Sequence, residues 1–471
     1  MEMVTIPKHE YEALLRRIAE LENLVEELLA KLNKNSNNSS KPPSSDGLNK
    51  KPNSRIKSTR KCGGQPGHKG ITLELPKNFN ELKEAGEIKV VVKDHTNGAT
   101  EYVSRWTVDV EIKTVYTEHR FPIGAEIPPQ FTNTVTYGDE IKALSVLLNV
   151  EGMVSYNRLS SFFEETTNGL VSPSEATINS FLQEAATNAD ISPLITDVIT
   201  GDVMNVDESP MRSTERPKED RKGNLIFDEN NNVQMETAEN KSFHVYIRTY
   251  SNETTTVFTV NGHKNEAGVI RDGILPEYSG IVSQDCEAKF MKYGGQTSLC
   301  GQHLERELKG LFDCAQMRPW AESAFTIMQG MCHYKNEDLR NGVDCCDPSQ
   351  LESFIIGYRD MVQSGQNYLS AAIGDNALLK KARALIKRMQ ERENEYLLFM
   401  KNYKVPYTNN LAERDLRSCK TKQKVSGCFR SFGGINAFCK IKSIISTAKK
   451  RRNNVLITIK NNLFSSPLTV K

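Results

Sequence analysis

Two short apolar runs that end in aspartate constrain the fold of this chain more than any other feature. The first, residues 201–207, reads GDVMNVD, and Pro210 stops it three residues later. The second, residues 279–285, reads SGIVSQD. Each run predicts a buried strand that carries a carboxylate at its C-terminal end. If both strands lie in one open sheet, the two carboxylates meet at the edge where ligand sites of such sheets form.

Asp207 supports two interpretations. An aspartate that follows a strand commonly caps the next turn. Alternatively, carboxylates held rigidly over a cleft can bind a divalent cation and bridge it to phosphate oxygens. The second run, ending in Asp285, favours the metal-ligand interpretation.

Bulk properties exclude several classes of protein. The 471 residues suggest about three domains. Ten scattered cysteines form no CxxC pair, which argues against a secreted disulfide scaffold and predicts reduced thiols in the cytoplasm. The N-terminus does not have the layout of a signal peptide, and no run of about twenty apolar residues predicts a membrane span.

Residues 1–33 are predicted to form a coiled coil. Apolar residues recur there at alternating spacings of three and four: Tyr11, Leu14, Ile18, Leu21, Val25, Leu28 and Leu32. Leucine at the d positions, with Ile18 and Val25 at a, favours a parallel two-stranded coil and hence a homodimer or higher oligomer. The alternative is a helix that packs on its own domain.

Residues 34–70 are predicted to be a disordered basic linker, because they are rich in Asn, Ser, Pro and Lys. Nine Lys or Arg residues stand against a single acid, Asp46, between residues 33 and 70. Such an arm gives DNA affinity that does not depend on base sequence, although it also suits a solvated linker. The candidate DNA contacts in this segment are Lys50, Lys51, Arg60 and Lys61.

Two further regions precede the first aspartate strand. Alternating segments at 88–93 and 108–116 predict a small β-rich module over 71–135. Residues 136–198 are predicted to be helical, with helices at 139–149, 157–166 and 174–186. These helices fit either a helix-turn-helix DNA-binding unit, with 175–183 as the reading helix, or a plain helical bundle.

The remainder of the chain contains strand patterns followed by helical patterns. Further strands are predicted at 243–250, 255–260 and 297–300, with the first two antiparallel. Residues 303–400 are predicted to be an almost wholly helical insertion. Residues 456–471 are interpreted as a C-terminal tail.

The segment that follows the insertion is dense in charge. Asn409 and Asn410 open a predicted helix that contains Glu413 and Asp415. These acids point about 200° apart on a helix, so only one of them can face a cleft. From residue 416 to residue 460 there are twelve Lys or Arg and no acid, which indicates contact with a polyanion.

Four stretches together resemble transposases of the insertion-sequence-sixty-six family, in the branch with a single long transposase chain. The first is SSKPPSSD at 39–46, followed by GGQPGHKG at 63–70. The others are VDES at 206–209, LCGQHLERELKG at 299–310, and 405–417 with 422–430, which contain NNLAERDLR and KQKVSGCFR. The family usually carries a CxxC element after the first stretch. Residues 91–98 contain no cysteine, so the zinc-finger-like element is degenerate.

The resemblance implies a multidomain α/β and α protein with a ribonuclease-H-like catalytic domain. That domain spans 199–302 and 401–455, interrupted by the helical insertion. Its implied catalytic and metal-binding residues are Asp207, Asp285 and Glu413, which hold two Mg²⁺ or Mn²⁺ ions with Asp207 bridging them.

Further residues near the three acids are also expected to contribute to the site. Cys300 and His303 match a Cys-x-x-His element that is expected to support the last strand. The cations expected to grip phosphate are Arg414, Arg417, Lys422, Lys424 and Arg430.

The implied function is DDE-type transposition. The protein would bind the terminal inverted repeats of an insertion sequence and its target DNA, cleave strands and transfer them, within the bacterial cytoplasm at the nucleoid. One alternative is a catalytically inactive DNA-binding protein derived from a transposase. Another is a host nuclease, which would cut DNA without specificity for the element's ends.

Overall fold

A computed structural model describes most of the chain. Its coverage is residues 73–464 apart from 98–99, 125, 129–130, 132 and 240–241, together with scattered positions between 7 and 29. It divides into a small unit at 50–115 and a large unit that contains 1–49 and 116–471. The predicted linker at 34–70, with Lys50, Lys51, Arg60 and Lys61, lies outside the described residues.

The described positions from 8 to 29 are helical. Two residues of the predicted heptad seam are among them, and Leu21 is 55% and Val25 54% exposed. The remaining seam residues lie outside the described part of the chain, so the coiled coil at 1–33 stays a prediction.

The small unit contains one described helix, α1 (Phe79–Glu84), and no strand among its described residues. The segments 88–93 and 108–116, predicted as strands, pair with no described neighbour, and most of their apolar side chains are exposed, as at Val110 (89%). Alternation supplies an apolar face, but a strand also needs a hydrogen-bonded partner. The structure therefore differs from the β-rich module predicted at 71–135.

Between residues 116 and 202, the described residues form four α-helices: α2 (Asp139–Val150), α3 (Tyr156–Thr166), α4 (Glu175–Asn188) and α5 (Ser192–Ile199). Helix α4 begins where Ser174 Oγ accepts a hydrogen bond from the Thr177 N–H at 3.1 Å. Its apolar face, including Ile178 and Leu182, is buried in one core with Phe438 and strand residues of the sheet. This shared core favours the bundle interpretation over a separate DNA-reading module.

Seven strands follow among the described residues of the large unit. They are β1 (Val203–Ser213), β2 (Glu215–Pro217), β3 (Met235–Thr237), β4 (Phe243–Ser251), β5 (Thr256–Asn261), β6 (Ile281–Gln284) and β7 (Gln296–Leu299). Five of them form one sheet in the order β5-β4-β1-β6-β7, and β2 pairs with β3. The β1–β4 and β4–β5 pairs are antiparallel, as the sequence predicted for β4 and β5, whereas β1–β6 and β6–β7 are parallel.

Strand β1 is central and packs on both faces. Met204 and Val206 enter one apolar cluster, while Met211 enters another on the opposite face. Because side chains alternate along a strand, Asp207 and its neighbour Glu208 point to opposite faces of the sheet.

Glu208 forms a buried ionic network on its face of the sheet. Its carboxylate accepts hydrogen bonds from Arg248 Nη2 and Lys289 Nζ, each at 2.5 Å. Arg248 also pairs with Asp272, which accepts a hydrogen bond from the Tyr250 hydroxyl at 2.7 Å. Lys289 also pairs with Glu287 at 3.2 Å. These contacts thus join two cations and three carboxylates, and the network ties β1 to β4 and to the segments around Asp272 and Lys289.

The described residues of the large unit also form nine further α-helices. The helices are α6 (Glu266–Asp272), α7 (Gly301–Lys309), α8 (Arg318–Arg340), α9 (Pro348–Ala371), α10 (Ala377–Glu391), α11 (Glu393–Lys401), α12 (Asn410–Ser426), α13 (Phe432–Lys450) and α14 (Val455–Leu463). Helices α8–α11 occupy the predicted insertion at 303–400. The predicted tail at 456–471 is in part a packed helix, because Ile459 and Leu463 of α14 are buried. Within the described chain, no helix is both long enough and apolar enough to cross a membrane.

Two glycines of α9 provide a matched test of the packing in the helical insertion. A Cβ at Gly365 would lie 2.7 Å from the buried Trp320 ring, whereas a Cβ at Gly357 would meet nothing within 4 Å. Gly365→Ala should therefore destabilise the protein by about 1–3 kcal/mol through overpacking. Gly357→Ala should stabilise it by about 0.5–1 kcal/mol, because alanine loses less entropy in a helix. Chemical denaturation of both variants measures this difference, and equal effects would contradict the packing of α9 on α8.

Candidate active site

Parallel pairing of β1 and β6 brings two aspartates to the same edge of the sheet. The register pairs Val203 with Ile281 and Asn205 with Ser283. Continued by two residues, it sets Asp207 beside Asp285, which directly follows β6. Neighbouring strands lie about 4.8 Å apart, so the two carboxylates named from the sequence are neighbours.

Helix α12 supplies the third carboxylate. Glu413 lies in its first turn, and Glu413 Oε1 is 3.8 Å from Nδ1 of His303. Asp415 faces the other way and accepts hydrogen bonds from Ser251 Oγ at 2.7 Å and Thr256 Oγ1 at 2.8 Å, with Lys450 Nζ at 2.9 Å. Of the two acids that the sequence left open, Glu413 faces the cluster, while Asp415 attaches the helix to the sheet.

Cys300 and His303 join this cluster from the start of α7. The ligand atoms of Asp285, Cys300, His303 and Glu413 all lie within 4.8 Å of one another. Cys300 Sγ accepts a hydrogen bond from the Asn409 N–H at 3.2 Å, which agrees with a supporting role. His303 goes beyond the expected support of a strand, because its Nδ1 lies 3.2 Å from Asp285 Oδ1.

The position of His303 near Asp285 could have been predicted from the sequence. The histidine lies in the first turn of a helix that begins directly after β7, and β7 runs parallel to β6. A side chain in that position emerges at the same sheet edge as Asp285.

Two buried atoms in the cluster have no hydrogen bond to any described residue. They are His303 Nδ1 and Glu413 Oε1. Buried polar atoms are normally satisfied, and each exception needs an explanation such as a bound ion. The pair therefore marks where a cation would be held.

The electrostatics of the site reflect crowded carboxylates. Burial, followed by the charge of Asp285, raises the pKa of Asp207 to about 8, and Glu413 contributes in the same direction. Burial lowers the pKa of His303, but the adjacent Asp285 carboxylate and the Cys300 thiol outweigh burial and raise that pKa to about 11. Protonation of Asp207 and of His303 reduces the net negative charge of the cluster.

Two further cations approach the cluster. Arg306 Nη2 lies 3.9 Å from Glu413 Oε2, and Arg306 Nη1 lies 3.3 Å from His303 Nε2. Lys420 donates a hydrogen bond to the Pro210 carbonyl at 3.0 Å. Burial lowers the pKa of Lys420, while Asp207 acts in the opposite direction. Neither cation was named from the sequence.

The cations predicted to contact DNA fall into two groups. Four of them are exposed and make no ion pair with another described residue: Arg414, Arg417, Lys424 and Arg430. Lys422 differs, since its Nζ donates to the Asn149 carbonyl at 3.1 Å and to Asn149 Oδ1 at 3.0 Å. Burial lowers the pKa of Lys422 to about 8. Its ammonium group is committed to α2 and is not free for phosphate.

The acid-free block from 416 to 460 is also less basic in the fold than in the sequence. Five of its cations pair with acids from other segments: Lys442 and Lys449 with Glu151, Lys450 with Asp415, Arg451 with Asp197, and Lys460 with Glu140. Contrary to the prediction, the whole block is therefore not available to a polyanion. Charge available to an external partner is concentrated in the exposed group on and after α12.

The donor set fits a divalent cation. Carboxylate oxygens of Asp207, Asp285 and Glu413 are ligands that Mg²⁺ and Mn²⁺ prefer. The nitrogen of His303 and the sulfur of Cys300 are softer donors, which shift preference toward transition metals.

Two family models match the chain. One, described as Transposase IS66 family, matches residues 134–437 and thus more than half of the 471 residues. Another, described as Family of unknown function (DUF6444), matches residues 2–74. No curated protein matches. The first match includes all three clustered acids, Asp207, Asp285 and Glu413.

The raised pKa of Asp207 predicts a pH-dependent stability of the metal-free protein. In the unfolded chain an aspartate ionises near a pKa of about 3.9, whereas the folded site keeps Asp207 neutral up to about pH 8. The folded state thus binds an extra proton between these values, and its stability falls as pH rises through them. Thermal unfolding in EDTA should show this fall in the wild type and a smaller one in Asp207→Asn. Parallel pH curves for the two proteins would contradict the assignment.

Proposed function

The chain belongs to the IS66 family of transposases, and we propose that it is a DDE-type enzyme that binds the ends of its insertion sequence and catalyses metal-dependent DNA strand cleavage and strand transfer. The convergence of Asp285 and Glu413 at the end of β6, with Asp207 beside them on β1, carries the proposal. These acids are separated by 78 and 128 residues in the sequence (285 − 207 and 413 − 285). Asp285 and Glu413 belong to one cluster of potential ligands, and both raise the pKa of the nearby Asp207.

The topology supports a ribonuclease-H-like catalytic domain. Three antiparallel strands, β5-β4-β1, continue into two parallel strands, β6 and β7, and helix α12 packs against β1 and β4. The acids come from the central strand, its parallel neighbour and this helix. Helices α8–α11 enter between β7 and α12, so the insertion separates the second acid from the third in sequence.

Asp207, Asp285 and Glu413 would hold one or two divalent cations. When bound, such ions activate the attacking oxygen and stabilise the leaving oxygen of an in-line displacement at phosphorus. Arg306, 3.9 Å from Glu413, lies where a guanidinium can contact a phosphate oxygen. His303 Nδ1 lies 3.2 Å from Asp285 Oδ1, where the positive charge of the imidazolium would attract that carboxylate.

Exposed cations on α12 provide a surface for the DNA backbone. With about 100° per residue, Arg414, Arg417 and Lys424 fall within an arc of about 80° that adjoins Glu413. Arg430 follows the helix and is exposed as well. A strip of this kind binds phosphate without reading bases. The basic arm would add DNA contacts from Lys50, Lys51, Arg60 and Lys61. Lys422 would not contribute.

Self-association through residues 1–33 belongs to the same proposal. Leu21 and Val25 lie on helical backbone and are about half exposed, as expected of a heptad seam without its partner strand. A homodimer would hold two catalytic domains near two element ends, in the cytoplasm at the nucleoid.

The rival proposal is a DNA-binding protein that has lost catalysis. It predicts end binding without cleavage, whereas a nuclease of the same fold predicts cleavage without end specificity or strand transfer. A cleavage assay on the element's terminal repeats, with Mg²⁺ and with EDTA, separates the three outcomes.

Removal of each cluster acid should stop chemistry while DNA binding persists. Asp207→Asn, Asp285→Asn and Glu413→Gln should each lower the cleavage rate roughly a thousandfold or more, because residues that act as a unit fail together. The measurement is single-turnover cleavage of a labelled end, with binding followed by gel shift. Asp415→Asn is the matched control on the same helix, and it should cut normally below its melting temperature. Cleavage at the wild-type rate by Asp207→Asn would remove Asp207 from the active site.

The two groups of cations on α12 should differ in the salt dependence of DNA binding. Arg417→Ala should reduce the slope of log affinity against log salt by about 0.9, since one phosphate contact is lost. Lys422→Gln should leave the slope unchanged, because the Lys422 ammonium is bound to Asn149. Titrations of an end-containing duplex at several salt concentrations measure both slopes. An equal loss in Lys422→Gln would contradict this division of the basic residues.

A further inference from the structure

Asn409 is fully buried and uses its polar groups in contacts with other segments. Its Oδ1 accepts a hydrogen bond from Asn205 Nδ2 at 3.0 Å. Its Nδ2 donates to the Val206 carbonyl at 2.9 Å and to Asp285 Oδ1 at 3.2 Å. Its backbone N–H donates to Cys300 Sγ at 3.2 Å.

These contacts reach all three segments that carry the cluster acids. Val206 immediately precedes Asp207 on β1, and Asp285 is contacted directly. Asn409 also precedes the first residue of α12, and its carbonyl accepts a hydrogen bond from the Glu413 N–H at 3.2 Å. One buried residue, through its side-chain amide and its backbone carbonyl, therefore connects the positions of the three carboxylates.

Comparison with other helices of the chain shows that this arrangement is not ordinary helix capping. Asn265, Asn376 and Asn454 each stand before a helix and accept a hydrogen bond from a backbone N–H of its first turn. Asn409 occupies the same position at α12 but makes no such bond. A side-chain cap stabilises the start of a helix. At α12 that stabilisation is given up, and the amide binds β1 and Asp285 instead.

An amide is the group that these contacts require. One side chain must donate to a carbonyl and to a carboxylate while it accepts from another amide. An aspartate could not donate, and it would add a negative charge beside Asp285. Alanine would leave the Val206 carbonyl and the Asn205 amide without this partner.

We propose that Asn409 is a positioning residue that sets the place of Glu413 relative to Asp207 and Asp285 for metal binding and DNA cleavage. The catalytic half of this inference rests on the proposed function, whereas the metal-binding half can be tested without it. Asn409 would touch neither DNA nor the reacting atoms. It would act by fixing the start of α12 against the edge of β1 and β6.

The test compares Asn409→Ala with Asn410→Ala, its exposed neighbour at the first position of α12. Mn²⁺ binding is measured on the full-length protein by the electron paramagnetic resonance signal of free Mn²⁺, and cleavage by single-turnover assay. Asn409→Ala should weaken Mn²⁺ binding about tenfold or more. It should slow cleavage about a hundredfold, the effect of a misplacement of about 1 Å, with end binding unchanged. Asn410→Ala should match the wild type in all three measurements.

A purely structural role predicts a different result. Asn409→Ala would then melt at a lower temperature but bind Mn²⁺ and cleave as the wild type does below that temperature, and the proposal would be overturned. If Asn409→Ala does not fold, Asn205→Ala replaces it, because that variant loses only the bond to Asn409 Oδ1. Intermediate effects on Mn²⁺ binding and cleavage support the proposal, and wild-type values in folded Asn205→Ala overturn it. If the wild type binds DNA ends but never cleaves, the proposed function fails, while the Mn²⁺ comparison still decides the role of Asn409.

Discussion

Repulsion between carboxylates is the constraint on which the site depends. Parallel pairing of β1 with β6 sets Asp207 beside Asp285, and α12 brings Glu413 to the same place. Burial, and then the negative charge of the neighbouring Asp285, raise the pKa of Asp207, and Glu413 acts in the same direction. The fold holds this unfavourable arrangement because the strands and helix that carry the acids are anchored elsewhere. A site of this kind gains stability when a cation binds to it.

Asp207 and Glu413 each have a nearby second acid whose charge is neutralised and which anchors the same strand or helix. Glu208 follows Asp207 but points to the opposite face, where Arg248 and Lys289 compensate its charge. Asp415 lies two residues after Glu413 and attaches α12 to β4, β5 and Lys450. In both cases one acid of a close pair is structural and the other faces the cluster, because strand and helix periodicity send them in different directions.

The sheet and its acids could be predicted because their signals are local. An apolar run that ends in aspartate, as at Asp207 and Asp285, contains both the strand and the polar residue that leaves it. The role of the basic block could not be predicted in this way, because Glu151 and Glu140 reach Lys442 and Lys460 from 291 and 320 residues away. The strand predicted at 108–116 is absent from the structure for a related reason, since alternation cannot show whether a partner strand exists.

Buried polar contacts of the kind seen at Asn409 and Glu208 are better explained by geometry than by stability. Replacing buried ionic groups with apolar ones is often neutral or stabilising, so stability alone does not account for Arg248 on β4, opposite Glu208. What such groups supply is a single allowed arrangement, because any shift leaves a buried donor or acceptor unsatisfied. Asn409 applies the same principle between secondary-structure elements. It adds hydrogen bonds to a strand and a carboxylate to the apolar packing of α12. The distance between acids far apart in sequence then depends on directional contacts as well as on packing.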